Sequence, residues 1–105
     1  MTFGYAISEA RKKLGLSQKD LATKIIKEDK TAISPQYLND LEHDRRYPPS
    51  DDLLQQFADI LKIDLAYLQY LAGNFPKDIQ MAALKPDQFN KAIKAFRKAI
   101  KDENK

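Results

Sequence analysis

Two short segments of this sequence carry full sets of helix-start signals, and they constrain the fold more than any other feature. Ser17 and Ser34 can each accept a hydrogen bond from the free amides of a helix that follows. Pro35 stands at the first position of the second helix, where its missing N–H does no harm. An apolar residue precedes each serine and another follows four residues later, which is the spacing of a hydrophobic staple. The sequence thus predicts two short capped helices.

The rest of the chain also has a helical pattern, because apolar residues recur three and four positions apart and no segment alternates as a strand would. We predict an all-α protein, with a domain of five helices over residues 1–75 and a C-terminal helical extension over residues 76–105. Other predicted helices begin near Phe3, Ser50 and Asp64, and in the extension a short one covers Lys77–Leu84 and a long one covers Asp87–Lys101.

Composition excludes several classes of function. The 105 residues include no cysteine and one histidine, His43, which excludes thiolate catalysis, cysteine-ligated metal and a multi-histidine metal site within one chain. No nucleophile–base pair is visible, so we expect no enzymatic activity, no metal and no cofactor. No apolar run approaches the ~20 residues that cross a bilayer. We expect a cytoplasmic protein with no membrane partner.

The charge is unevenly distributed along the chain. Residues 1–75 hold 10 basic and 11 acidic residues, whereas residues 76–105 hold 8 basic and 4 acidic residues. The predicted domain therefore has no broad basic surface. Any binding to nucleic acid must depend on where individual charges lie.

The two capped segments resemble the helix-turn-helix of the Xre/Cro-repressor family. The residues that carry the resemblance are Ser17-Gln18-x-x-Leu21-Ala22, Ile33-Ser34-Pro35-Gln36-Tyr37-Leu38-Asn39-Asp40-Leu41-Glu42 and Arg45-Arg46-x-Pro48-Pro49-Ser50. The similarity covers about Phe3 to Gly73 and implies that the five-helix domain of residues 1–75 is a five-helix repressor-like DNA-binding domain. It also implies an ion pair between Arg11 and Glu42 that joins the first helix to the third.

The connection between the two capped helices departs from this family. A single glycine usually connects them there, whereas Ile26 to Ala32 holds seven residues in this chain. The tight turn is lost, although the third helix can still dock through Leu38 and Leu41.

The third helix has a polar outer edge. With Leu38 and Leu41 directed inward, a rotation of about 100° per residue directs Gln36 and His43 outward and leaves Asn39 and Asp40 on the flanks. Glutamine and asparagine pair with adenine, and an acidic side chain accepts from cytosine N4. A short helix with such an edge fits a major groove.

The resemblance assigns roles to individual residues. It implies base contacts by Gln36, Tyr37 and Asp40, with Pro35 a poor substitute for a hydrogen-bonding residue. It implies a phosphate contact by Gln18, and Arg45 and Arg46 can clamp phosphates as well. The predicted DNA-binding set is Gln18, Gln36, Tyr37, Asn39, Asp40, His43, Arg45 and Arg46.

The last predicted helix has an apolar face with two interpretations. Its members are Phe89, Ala92, Ile93, Phe96 and Ile100. They either fold back on the five-helix core or pair with a second copy of the chain. We favour a homodimer on double-stranded DNA, and thus a sequence-specific transcriptional regulator that represses from a two-fold operator. The alternative is an antitoxin-like module whose C-terminal helices bind a partner protein.

Overall fold

Helices account for most of residues 1–103, the part of the chain that this computed structural model describes. The last two residues of the predicted extension lie outside it. The helices are α1 (Phe3–Lys13), α2 (Gln18–Lys24), α3 (Pro35–Glu42), α4 (Asp51–Leu61), α5 (Leu65–Leu71), α6 (Lys77–Gln80) and α7 (Pro86–Glu103).

The predicted helix starts are confirmed in α2 and α3. Ser17 Oγ accepts from the Asp20 amide at 2.9 Å, and the Ser17 amide donates to the Asp20 carboxylate at 3.1 Å. Ser34 Oγ accepts from the Tyr37 amide at 3.0 Å. Ser50 also precedes its helix, but its side chain makes no capping hydrogen bond. Local signals therefore determine where α2 and α3 begin.

The hydrophobic core is formed by the five helices α1 to α5. It is built from the apolar faces of these helices and from two residues that flank the α2–α3 connection: Phe3, Ile7, Leu21, Ala22, Ile25, Ile33, Leu38, Leu41, Leu54, Phe57, Ala58, Leu61 and Leu68. Leu38 and Leu41 are fully buried. The third helix therefore docks on the core despite its longer connection.

Two residues that continue the apolar patterns of α1 and α2 lie at the surface. Leu14 caps the C-terminus of α1, one residue beyond the helix, and is largely exposed. Ile26 follows the end of α2, where the backbone is already extended and successive side chains point to opposite sides. Ile25 therefore enters the core and Ile26 does not.

The connection between α2 and α3 forms a small antiparallel hairpin, which the sequence did not predict. Ile26 and Ala32 form a β-bridge, and the Lys27 amide donates to the Thr31 carbonyl at 2.8 Å. The Ile33 amide donates to the Ile25 carbonyl at 3.0 Å, which closes the base. We call residues 26–32 the α2–α3 hairpin.

The C-terminal extension does not pack its apolar face on the core. Phe89, Phe96 and Ile100 are 40%, 56% and 46% exposed, and Phe89 meets Phe75 edge to face with 6.3 Å between ring centroids. The interpretation in which this face folds back is therefore wrong. The short helix α6 also ends before the predicted Leu84.

Within residues 1–103, no helix is long and apolar enough to span a membrane. That part of the chain likewise holds no cluster of histidine, aspartate or glutamate that could bind a metal ion.

Candidate DNA-binding surface

The outer edge of α3 is open to solvent, as its apolar pattern predicts. Gln36 and His43 are exposed, and Asn39 and Asp40 are half-buried on the flanks. His43 Nδ1 lies 2.9 Å from the Asn39 carbonyl oxygen. Because Leu38 and Leu41 fix the rotation of the helix, this edge is the one that α3 offers to a ligand.

Asp40 lies at the centre of this edge and binds the side chains of Gln36 and Arg45. Its carboxylate accepts from Gln36 Nε2 at 3.1 Å and from Arg45 Nε at 3.2 Å. Arg45 Nη2 lies 3.2 Å from the same oxygen. The arginine offsets a negative charge that would repel phosphates. One N–H of the Gln36 amide is engaged with Asp40, so its carbonyl oxygen and its second N–H are left for a base.

Tyr37 and Arg46 form a second unit beside the first. Tyr37 is half-buried and packs against the core, and the Arg46 guanidinium lies 5.3 Å from the centroid of its ring. This cation–π contact orients Arg46 next to the first turn of α3. Both predicted arginines are thus held close to the outer edge of α3, Arg45 by Asp40 and Arg46 by Tyr37.

Gln18 connects α2 to α3 through its side chain. Its Nε2 donates to Asn39 Oδ1 and to Glu42 Oε1, both at 3.0 Å. In the free protein the amide therefore orients α2 against α3. Its contact with a phosphate stays a prediction, and so does a contact of Asn39 with DNA.

The ion pair that the resemblance implies is present. Arg11 Nε donates to Glu42 Oε2 at 2.7 Å, and Nη2 donates to Glu42 Oε1 at 3.0 Å. Arg11 Nη1 also donates to the Leu16 carbonyl at 2.8 Å. These bonds tie α1 to the last turn of α3 and to the start of α2.

The titration behaviour of this pair follows from its surroundings. Burial opposes the charged form of Glu42, but hydrogen bonds from Arg11 and Gln18 outweigh it and lower the pKa of the Glu42 carboxyl. The hydrogen bond to Glu42 raises the pKa of Arg11. Both groups are charged at neutral pH, and their role is to hold α3 in place.

The start of α1 is fastened to the end of α3. The Gly4 amide donates to Asp44 Oδ1 at 2.9 Å, and Thr2 Oγ1 donates to Asp44 Oδ2 at 2.7 Å. A Cβ atom at Gly4 would overlap the carbonyl oxygens of Leu41 and Glu42. Glycine is therefore required for the close approach of α1 to α3.

Comparison with known protein families identifies the family of this chain. The family model described as Helix-turn-helix matches residues 7–68, more than half of the chain. The chain belongs to this helix-turn-helix family. Its Xre/Cro type and its all-α class, both predicted from the sequence, are confirmed. The match ends within α5, so α6 and α7 lie outside it.

A solved structure gives the same fold over nearly the whole chain. The structure titled "SinR protein/SinI protein complex" is similar with a TM-score of 0.54 and 20% sequence identity, over 93% of this chain and 99% of that chain. The comparison with curated proteins gives no match. Family membership supports a DNA-binding regulator of transcription, a class that typically has no enzymatic activity.

Proposed function

We propose that this helix-turn-helix protein is a transcriptional repressor that occupies a two-fold operator in double-stranded DNA. The observation that carries the proposal is the open outer edge of α3, where Asp40 orders Gln36 and Arg45 without a covering element. A major groove about 12 Å wide admits such a helix. Repression then needs no chemistry, since the bound protein blocks the site, and it takes place in the cytoplasm.

Within this proposal the predicted residues divide into two groups. Gln36, Tyr37 and Asp40 contact base edges, because they lie on the first two turns of α3. The other members contact phosphates or flank the groove, and they fix the register without reading sequence: Gln18, Asn39, His43, Arg45 and Arg46.

Selection on random duplex DNA tests the proposal directly. The full chain is expected to enrich one sequence with two-fold symmetry and half-sites about 34 Å apart. Affinity for that sequence is expected to fall as salt rises, because phosphate contacts release counterions. A chain that enriches no sequence is not a sequence-specific repressor.

Replacing Arg45 with alanine is expected to weaken binding to all sequences alike. The slope of log affinity against log salt should fall in magnitude by about 1, because one phosphate contact is lost. Titration of the selected duplex and a random duplex at several salt concentrations measures both quantities. Lys98→Ala removes the same charge from the side of α7 opposite its apolar face and serves as the control. A loss confined to the selected duplex would contradict a phosphate role for Arg45.

We further propose that α7 pairs with α7 of a second copy, so that residues 1–75 bind DNA and residues 76–105 dimerise. The exposed apolar face of α7 supports this arrangement, because large apolar patches on a surface mark interfaces. The cations of α7 do not obstruct the pairing, since most of them lie away from this face: Lys91, Lys94, Lys98 and Lys101. A two-fold dimer also matches a two-fold operator.

Phe96→Asp is expected to convert the dimer to a monomer, because a charge at the centre of the pairing face would be buried without a partner. Sedimentation equilibrium at micromolar concentration measures the change. Asn90→Asp adds the same charge to another exposed position of α7 and is expected to leave the dimer intact. An unaltered chain that is monomeric at all concentrations would contradict pairing through α7.

A protein-interaction module is the second candidate, and the open face of α7 favours it as well. The similar solved structure is, by its title, a complex of two proteins. An antitoxin-like protein would keep the DNA-binding half and cover α7 with its partner. Co-expression with the product of a toxin-like neighbouring reading frame distinguishes the two candidates. The module is favoured if the chain is monomeric by itself, forms a stoichiometric complex with that product, and loses the complex in Phe96→Asp.

A further inference from the structure

The α2–α3 hairpin is longer than the connection that the docking of α3 on the core requires. A tight turn would be enough to connect α2 to α3, because buried Leu38 and Leu41 already hold α3 on the core. Yet seven residues form an ordered hairpin that ends immediately before α3. Its tip is stiffened by Asp29, whose carboxylate accepts from the Thr31 amide at 3.0 Å and from Thr31 Oγ1 at 2.6 Å.

Gln56 of α4 fixes the direction of the hairpin. Its Oε1 accepts from the Ile26 amide at 2.7 Å, and its Nε2 donates to the Ile26 carbonyl at 2.8 Å. One side chain thus satisfies both backbone groups of the first hairpin residue. Ile25 and Ile33 anchor the base from below, since both are buried in the core. The hairpin is thus held at three points, by Gln56, Ile25 and Ile33.

Its position relative to α3 determines what it can reach. Pro35 is four positions after Thr31, so Thr31 lies at most about 14 Å from the first residue of α3. This turn enters the major groove in the proposed function. The groove is about 12 Å wide and bordered by phosphates. The hairpin is therefore near enough to α3 to reach a phosphate strand that flanks the groove.

The hairpin holds two acidic residues, Glu28 and Asp29, and two lysines, and only the lysines suit a phosphate neighbour. Lys27 and Lys30 are exposed, and no carboxylate lies within ion-pair distance of either in the described part of the chain. Lys24 adds a third exposed cation in the last turn of α2. Hydrogen bonds from Thr31 satisfy Asp29 within the hairpin and lower the pKa of its carboxyl.

We propose that the α2–α3 hairpin is a second DNA contact, in which Lys27 and Lys30 bind backbone phosphates beside the groove that α3 enters. The proposal rests on the proposed function and adds a phosphate-binding element to it. Gln56 is a positioning residue, since it touches the hairpin and not the DNA. The contact raises affinity for every sequence and leaves base preference to α3.

The test measures binding of the full chain to its selected duplex and to a random duplex, each at several salt concentrations. In the double variant Lys27→Ala/Lys30→Ala, the salt slope should fall in magnitude by about 1.8 and affinity in 0.1 M salt by more than about tenfold, equally for both duplexes. The control Lys77→Ala/Lys85→Ala removes two exposed cations from the extension and is expected to change neither value to this extent.

The variant Gln56→Ala distinguishes the anchoring of the hairpin by Gln56 from the charge of Lys27 and Lys30. It removes no cation, yet affinity should fall, and the two lysine replacements should then cost less than about threefold because the hairpin is no longer held in place. Binding is measured at a temperature at which circular dichroism shows that each variant is fully folded. An equal lysine effect with and without Gln56 would overturn the anchoring role.

Two outcomes keep this proposal distinct from the function on which it rests. If Lys27→Ala/Lys30→Ala binds with the affinity and salt slope of its control while the unaltered chain selects an operator, the hairpin contact is overturned and the repressor stands. If the unaltered chain selects no sequence, both are overturned.

Discussion

Replacing Glu42 with alanine is expected to lower the free energy of unfolding by about 3–5 kcal/mol, the usual effect of removing one partner from a buried ion pair. Glu42 is buried and accepts from Arg11 and Gln18, so its loss leaves a guanidinium and an amide without their partner. These bonds join three helices. The loss should therefore loosen α3 itself as well as the fold.

Urea unfolding followed by circular dichroism measures this change. Glu9→Ala is the control, because Glu9 lies 4.0 Å from Lys12 in an exposed pair whose removal should change stability by less than about 1 kcal/mol. The pH dependence gives a second readout. Since the pKa of Glu42 is lowered in the folded state, its contribution is present above the ordinary value of 4.5 and lost as the pH falls through the folded-state pKa. The Glu42→Ala protein should lose less stability than the unaltered chain between pH 5 and pH 3.

A Glu42→Ala protein as stable as the Glu9→Ala control would contradict the structural role assigned to the pair. Stability that rises as the pH falls below 4.5 would contradict the direction of the pKa shift of Glu42.

Replacing Gln36 with alanine is expected to relax the preference for one base pair of the operator, at a loss of about 1–3 kcal/mol on the preferred sequence. The side chain is exposed on the first turn of α3, and its carbonyl oxygen is free to accept from a base. Because Gln36 contributes nothing to the core, stability should not change. Binding to random duplex DNA should change little, because phosphate contacts and not base contacts supply affinity for unrelated sequences.

Repeating the selection with the variant measures the base preference position by position. Gln55→Ala is a close control, since Gln55 is also exposed and donates to Asp59 at 2.9 Å across the same four-residue spacing. That variant should select the unaltered operator. An unchanged operator for Gln36→Ala would show that α3 is oriented differently from the proposal.

The parts of this fold that depend on neighbouring residues were predictable from the sequence. Ser17 and Ser34 start α2 and α3 because a capping serine acts within three residues of itself. The exposure of Gln36 follows from the positions of Leu38 and Leu41 on the same helix. The Arg11–Glu42 pair joins residues far apart, and it came from the resemblance to a family and not from a local pattern.

The parts that were not predictable depend on distant contacts. Gln56 lies 30 residues from Ile26, and nothing near either residue indicates that they meet. Ile26 faces outward because α2 ends at Lys24, and helix ends vary by one or two residues for any pattern. An amphipathic α7 is compatible with a core contact or with a second chain, so periodicity alone cannot choose between them.

The central claim is that the outer edge of α3 enters a DNA duplex. The most direct measurement follows the backbone amide resonances of the full chain while the selected duplex is added. The largest shifts are expected at Gln36, Tyr37 and Asp40, with smaller ones at Arg45 and Arg46. Shifts confined to α7, with the amides of α3 unmoved at saturation, would contradict the claim.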